Sequence, residues 1–270
     1  MSTQAVMHLP ENLYQIHIEN ERALSEAFDV ARQACKDAIR GGKERQETAL
    51  TKNCALLLGA KLETTLMRII YDPTGFTPDQ RRRIVSASTA ADKWLRVITE
   101  AFAGRHGIPT RQVPQRLPFT AQAMFAEIER LIKEQFIPLI ELRNSLAHGQ
   151  WHRTLNSSGT RVDPRRMAQL ARQNVWRLAI QDNILHHVSL LIYDLVVTRV
   201  AFERDFDKRW NDLHSAIKRL ESSSSGQWTQ MLRDRHDRRW TYLLRNARAT
   251  GRIDPAAITG APPGVRELFE

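Results

Sequence analysis

Apolar residues recur at three- and four-residue steps along most of the chain, and no run alternates with a period of two between turn signals. This pattern predicts an all-α protein. The expected helices cover residues 12–40, 45–71, 78–103, 120–148, 164–219 and 228–249. Glycine, proline and serine clusters at 41–42, 72–75, 108–118, 156–159 and 222–226 predict the intervening loops.

Two of these helical stretches are irregular. Pro138 lies inside the fourth one, where it removes a backbone hydrogen bond and is expected to bend the helix one turn before Arg143. The 164–219 stretch is too long for a typical globular helix. It therefore predicts either two helices or one long spine around which the others pack, and the pattern does not decide between them.

The serine run at 222–225, followed by Gly226, is typical of a flexible joint. We therefore divide the chain into a helical domain, residues 1–221, and a basic C-terminal extension, residues 222–270. The extension carries the last predicted helix. Residues 250–270 are rich in glycine and proline and lack apolar periodicity, so they are expected to be coil.

Lysine and arginine together number 40 against 30 acidic residues, which gives a formal net charge of +10 and an isoelectric point near 10.1. Such a charge favours a polyanionic partner, and nucleic acid is the leading candidate. The extension interleaves arginines with aromatic residues, a pattern that suits single-stranded RNA. The candidate RNA-binding residues are Arg233, Arg235, Arg238, Arg239 and Trp240. The alternative is a solvated helix whose aromatic residues serve packing.

Composition and motifs also restrict the expected cellular compartment and the expected class of reaction. The two cysteines lie in helical segments, no signal peptide is visible, and no apolar run approaches the roughly 20 residues of a membrane span. We expect a cytoplasmic protein without membrane contact. Phosphate-binding, dinucleotide-binding and nucleophile-elbow motifs are missing from the sequence. Asp182 lies one turn before His186, and His186 and His187 are adjacent, but no third ligand follows either pair at a convincing metal-binding spacing. Neither a metal nor another cofactor is therefore expected.

The most informative segment is Leu-Arg-Asn-Ser-Leu-Ala-His-Gly at positions 142–149. At about 100° per residue, Asn144 and His148 stack on the side of the helix opposite Leu142 and Leu146. His148 is therefore expected to point away from the core. Gly149 suits a left-handed helix cap. A purely structural alternative is that Arg143 and His148 only cap carbonyls and cover the surface.

Arg143, Asn144 and His148 resemble the Arg-x4-His signature of the HEPN superfamily, in which a polar residue commonly follows the arginine. The resemblance implies an up-and-down bundle of four or five helices, extending to about residue 219. It also implies a homodimer that places two such helices over one RNA-sized cleft. Many catalytic members resemble ribonucleases of toxin, abortive-infection and antiphage systems, and a neutralising or activating partner is then expected.

A second arginine lies five residues before a histidine, at Arg209 and His214. We treat this match as a decoy, because bulky Trp210 follows the arginine and no glycine follows the histidine. Members paired with a nucleotidyltransferase resemble Arg-x4-His-x-Tyr, whereas Gln150 stands at the tyrosine position here. Control by that kind of partner is therefore doubtful.

The sequence thus predicts a metal-independent endoribonuclease with Arg143, Asn144 and His148 as catalytic residues. Two alternatives stay open: a non-catalytic helical module that binds RNA or a nucleotide, and a purely structural helical dimer. Glu63 is undecided as well, because it suits either the cleft or a surface pair with Lys61 or Arg68.

Overall fold

The chain folds as an all-α helical bundle, as the apolar spacing predicts. The structure is a computed structural model that describes residues 13–156, 158–222, 225–250, 261–262 and 265. Across these residues no strand forms, and Leu155 and Val162 pair only in an isolated antiparallel bridge. The helices are α1 (Leu13–Arg40), α2 (Glu44–Tyr71), α3 (Pro78–Val85), α4 (Ala90–His106), α5 (Phe119–Leu131), α6 (Ile137–Ala147), α7 (Pro164–Ala171), α8 (Val175–Val196), α9 (Arg199–Ser222) and α10 (Ser225–Ala249).

Helix α2 runs through the middle of the bundle and packs against α1, α6, α8 and α4. Its apolar residues point to more than one side, and Leu58, Leu62 and Leu66 are almost completely buried. Each such side chain contributes about 1.5–3 kcal/mol by leaving water. Helix α1 is one-sided instead, because Phe28 faces the core while Val30 is 71% exposed. This arrangement gives α2 neighbours on several faces, among them the helix that carries the candidate site.

The expected single helix over 78–103 is wrong. Helix α3 ends at Val85, and α4 begins after Thr89, whose hydroxyl accepts a hydrogen bond from the Asp92 backbone N–H at 3.0 Å. A threonine in this position satisfies one of the amide groups that a helix start leaves unpaired. The local cap therefore outweighs the continuous apolar spacing.

The 164–219 stretch contains three helices, so both expectations for it were wrong. Asp163 caps α7, and Asn174 caps α8 by accepting a hydrogen bond from the Arg177 backbone N–H at 2.8 Å. Helix α8 then runs through the core to Val196, and α9 follows after a two-residue connection. Helices α8 and α9 pack side by side as a hairpin.

A π-helical turn, Ile132–Phe136, lies between α5 and α6, just before Pro138. The bend expected at Pro138 stays a prediction. Proline has no N–H to donate to a carbonyl one turn earlier, which explains why the regular hydrogen-bond ladder changes here. The carbonyl of Pro138 accepts a hydrogen bond from the Gln169 side chain of α7. The interruption thus separates α5 from α6, whose far end bears Arg143 and His148.

Helix α10 packs against α1 and α8. Trp228 and Leu232 join the main core, whereas Leu244 forms a second cluster with Ala261 and Val265. Of the joint expected at 222–226, Ser222 belongs to α9, and Ser225 and Gly226 belong to α10. Residues 223–224 lie outside the described residues. The same holds for nearly all of the expected 250–270 coil and for residue 12. The domain boundary at 221/222 stays a prediction.

Candidate functional site at the end of α6

A backbone cap closes α6. The Gly149 N–H donates to the Leu146 carbonyl and the Gln150 N–H to the Ser145 carbonyl, both at 3.0 Å. Gly149 has φ +79°, a left-handed conformation that favours glycine. This pattern of hydrogen bonds is the Schellman motif. The indole N–H of Trp151 also donates to the Leu146 carbonyl, at 2.9 Å.

His148 lies on the solvent side of this cap. Its ring is exposed, as is the side chain of Asn144 one turn earlier, whereas Leu142 and Leu146 are buried on the other side. The helical spacing predicts this orientation. Among the described residues, no side-chain hydrogen bond or ion pair engages the imidazole. Backbone amides and Trp151 satisfy the helix end, so the purely structural role considered for His148 has no hydrogen bond to support it.

Arg143 is held by two polar neighbours. Its Nη1 donates to Asn144 Oδ1 at 2.9 Å, and its Nη2 lies 3.2 Å from Glu63 Oε2 of α2. The side chains of Arg143 and Glu63 are 31% and 30% exposed, so the pair lies at the edge of solvent. Arg143 therefore does not act as a carbonyl cap. No hydrogen bond joins Arg143 to His148.

The partner of Arg143 settles the position of Glu63, which the sequence left open. Glu63 pairs with neither Lys61 nor Arg68. Lys61 binds Asp182 of α8 at 2.6 Å, and Arg68 binds Glu21 of α1. Glu63 is the site residue that sequence reasoning did not assign, although its position one turn after Gly59 marks the same face of α2.

Gly59 explains how α2 and α6 come so close. A Cβ atom added to Gly59 would lie 2.3 Å from the Cβ of Arg143 and 3.3 Å from the Leu139 carbonyl oxygen. Both distances are shorter than ordinary van der Waals contact between such atoms. Glycine at position 59 is thus a steric requirement of the helix crossing that brings Glu63 to Arg143.

The second sequence match has a different environment. Arg209 Nε lies 2.6 Å from Oδ2 of Asp194, a carboxylate that is only 2% exposed. Arg209 Nη2 also donates to Asp194 Oδ1 at 3.4 Å. Trp210 contacts His214 ring to edge. Arg209 compensates a buried charge between α8 and α9, which favours the match at Arg143.

The candidate RNA-binding residues of α10 separate into two groups. Arg233 is partly buried and donates from Nε to the Ile39 carbonyl at the end of α1. Arg238 donates to the Asp234 carbonyl of its own helix. Arg235 and Arg239, in contrast, line a groove together with Trp240.

The histidine pair of α8 is not part of a metal-binding cluster among the described residues. His186 and His187 contact each other with ring centroids 5.4 Å apart, and Asp182 is engaged by Lys61. Across the described part of the chain, no group of three or more metal-binding side chains is present. Also within that part, no helix combines the length and the apolar character needed to cross a membrane.

Comparison with protein-family models, with curated proteins and with solved structures gave no match to this chain.

Proposed function

We propose that this protein is a metal-independent endoribonuclease whose active site lies at the end of α6. The observation that carries the proposal is an exposed imidazole, His148, on the same short stretch as an arginine whose guanidinium is fixed from two sides. The basic net charge of +10 favours a polyanionic substrate. The resemblance of residues 143–148 to the HEPN signature points to the same chemistry.

RNA supplies its own nucleophile for this reaction. A base removes the proton from the ribose 2′-hydroxyl, and the 2′ oxygen bonds to the adjacent phosphorus. The bond from phosphorus to the 5′ oxygen breaks, and an acid protonates that oxygen. The products are a 2′,3′-cyclic phosphate and a 5′-hydroxyl. An imidazole ring has one nitrogen that can accept a proton and one that can donate a proton, so His148 suits either role. In the homodimer implied by the resemblance, two copies of His148 divide them.

Arg143 is assigned to the scissile phosphate. A guanidinium has five N–H donors, and the contacts with Asn144 and Glu63 leave donors for a phosphate. Glu63 and Asn144 act as positioning residues, because they restrict where the planar group points. Charge placed in advance stabilises the developing negative charge without reorganisation during the reaction.

The biological setting that the resemblance implies is a toxin or antiphage defence system. RNA is then the target, and a neutralising or activating partner restrains the enzyme. The signature of the nucleotidyltransferase-controlled group is incomplete here, since Gln150 replaces the tyrosine.

The decisive experiment compares His148→Ala with His152→Ala, which removes another exposed histidine four residues further along. Purified protein with excess EDTA is incubated with single-stranded RNA, and the new ends are mapped. We expect wild type and His152→Ala to cleave, whereas His148→Ala loses about 100- to 10,000-fold in rate, the usual share of acid–base catalysis.

Undiminished cleavage by His148→Ala, with an unchanged circular dichroism spectrum, would remove His148 from the mechanism. RNA that is bound by wild type and left intact at high protein concentration would instead identify a non-catalytic RNA-binding module.

A further inference from the structure

A groove of about 530 Å³ lies between the end of α1 and the middle of α10. Asp37 and Arg40 line it from α1, and Arg235, Arg239 and Trp240 from α10. None of its lining residues belongs to α6 or to the Arg143–His148 stretch. The groove is thus a separate feature of the surface.

Positive charge predominates along this groove. Arg40 donates to Asp37 Oδ1 at 2.7 Å, so one cation and the lining carboxylate neutralise each other. Arg235 and Arg239 are exposed and have no ion-pair partner among the residues that the structure describes. Two uncompensated guanidiniums therefore face the groove.

The spacing of these two arginines has an energetic consequence. They are four residues apart on α10, so their side chains project from the same face. Like charges at this spacing repel each other and destabilise a helix. An anion between them removes this repulsion and adds charge-assisted hydrogen bonds.

The rest of the lining indicates what kind of anion fits. The indole N–H of Trp240 donates to Nε2 of His236 at 3.0 Å, and Trp240 is partly buried against Leu244. These two rings form a fixed wall, and Leu243, 46% exposed, adds an apolar surface. The volume lies within the range of sites for whole small molecules and is far larger than an inorganic phosphate needs. A ligand that combines phosphate with flat apolar groups matches this lining.

We propose that the α1–α10 groove binds the sugar–phosphate backbone of single-stranded RNA, with Arg235 and Arg239 contacting phosphates and Leu243 contacting a base. The inference goes beyond the proposed nuclease activity, because it places a second RNA contact away from His148. It also changes the set of RNA-binding residues predicted from the sequence. Arg40 borders the groove, whereas Arg233 and Arg238 lie outside it. Trp240 forms part of the wall rather than an open stacking surface.

The test measures binding of a fluorescently labelled 12-nucleotide 2′-O-methyl uridine strand by anisotropy. This RNA cannot form a cyclic phosphate, so binding is read without cleavage and the result is independent of the nuclease proposal. The double variant Arg235→Ala/Arg239→Ala is compared with Arg245→Ala/Arg248→Ala. Both variants remove two exposed arginines from α10, but only the first removes arginines that line the groove.

We expect the groove variant to bind about tenfold or more weakly than wild type, because it loses two charge-assisted contacts to phosphate. The slope of log affinity against log salt should fall by about 1.4, or 0.7 for each lost phosphate contact. The control variant should bind the same RNA with an affinity within about threefold of the wild-type affinity. Thermal melting of both variants checks that the fold is intact.

Equal losses in the two double variants would overturn the proposal, because they would assign binding to the general charge of α10. Unchanged affinity of the groove variant would overturn it as well. Poly-glutamate that displaces the RNA at equal charge concentration would identify the groove as a site for acidic peptides instead.

Discussion

At the α6 terminus, the groups that cap the helix are separate from the side chain that faces solvent. Backbone amides and the Trp151 indole satisfy the carbonyls, which leaves the His148 ring in solvent. The spacing of Asn144 and His148 was enough to predict that exposure from the sequence. The Glu63 contact of Arg143 was not predictable, because a tertiary crossing brings together residues from two helices far apart in the chain.

Gly59→Ala adds one methyl group at the crossing of α2 and α6, and so tests how far stability and cleavage depend on the close approach of these helices. The added Cβ would lie 2.3 Å from the Arg143 Cβ, so α2 and α6 must separate. We expect a loss of about 1–3 kcal/mol in the free energy of unfolding, as for other overpacked cores. RNA cleavage should fall together with stability, because Arg143 moves. Urea denaturation and the cleavage assay measure the two effects.

Gly104→Ala is the matched control for that substitution. Gly104 also lies within a helix, α4, but its added Cβ would meet only the end of the flexible Gln80 side chain, at 3.0 Å. Alanine favours a helix over glycine by up to about 1 kcal/mol. The control should therefore be neutral or more stable than wild type. Equal destabilisation by both substitutions would contradict the steric requirement at Gly59.

Helix boundaries were predicted best where glycine or proline marks them, and worst where a single polar cap begins a helix. Glycines 41 and 42 separate α1 from α2 as expected. Thr89 and Asn174 each begin a helix inside a stretch that looks continuous by apolar spacing. Threonine and asparagine also occur within helices, so a cap can be recognised only when the neighbouring backbone is known to leave an amide unpaired.

The cap of α8 provides a prediction at this scale. Asn174→Ala removes the acceptor of the Arg177 amide, a hydrogen bond of 2.8 Å, and should reduce the free energy of unfolding by about 1 kcal/mol. Asn174→Asp keeps an acceptor and should restore most of that stability. Urea denaturation at neutral pH compares the three proteins. An alanine variant as stable as wild type would show that α8 does not depend on this cap.

Three partly buried histidines make the stability of the whole molecule dependent on pH. Burial lowers the pKa of His17, His106 and His187 below the ordinary value. The unfolded chain then binds more protons than the folded chain near pH 6, so stability falls as the pH drops through about 6.5 and levels off below the folded-state pKa. Acidification from pH 7.5 to 5.5 should lower the melting temperature.

His187 gives this effect a specific test. After burial, the nearby His186 is the next cause that lowers its pKa, whereas Asp212 opposes the shift. His187→Gln should make the melting temperature less sensitive to pH between 7.5 and 5.5. His152→Gln, which removes an exposed histidine, serves as the control. A His187→Gln variant with the full wild-type sensitivity would assign the effect to other groups.

The sequence predicted the basic charge and its concentration in the C-terminal extension, but not which arginines are free to bind an anion. The net charge of +10 indicates a polyanionic partner. Only the folded chain shows that Arg233 is used to hold α10 against α1, while Arg235 and Arg239 face a groove. Arg233 thus has a structural role, whereas the charges of Arg235 and Arg239 remain available. The amino-acid composition does not distinguish these two cases.

The contact between α1 and α10 also sets an order of events during synthesis. Arg233 and Ile39 are 194 positions apart, so the groove forms only after nearly all of the described chain has left the ribosome. The α2–α6 crossing needs residues up to about position 149 and can form earlier, because N-terminal regions fold first. A nascent chain can therefore bring α2 and α6 together before the groove exists, and any RNA capture in the groove has to wait until α10 has been synthesised.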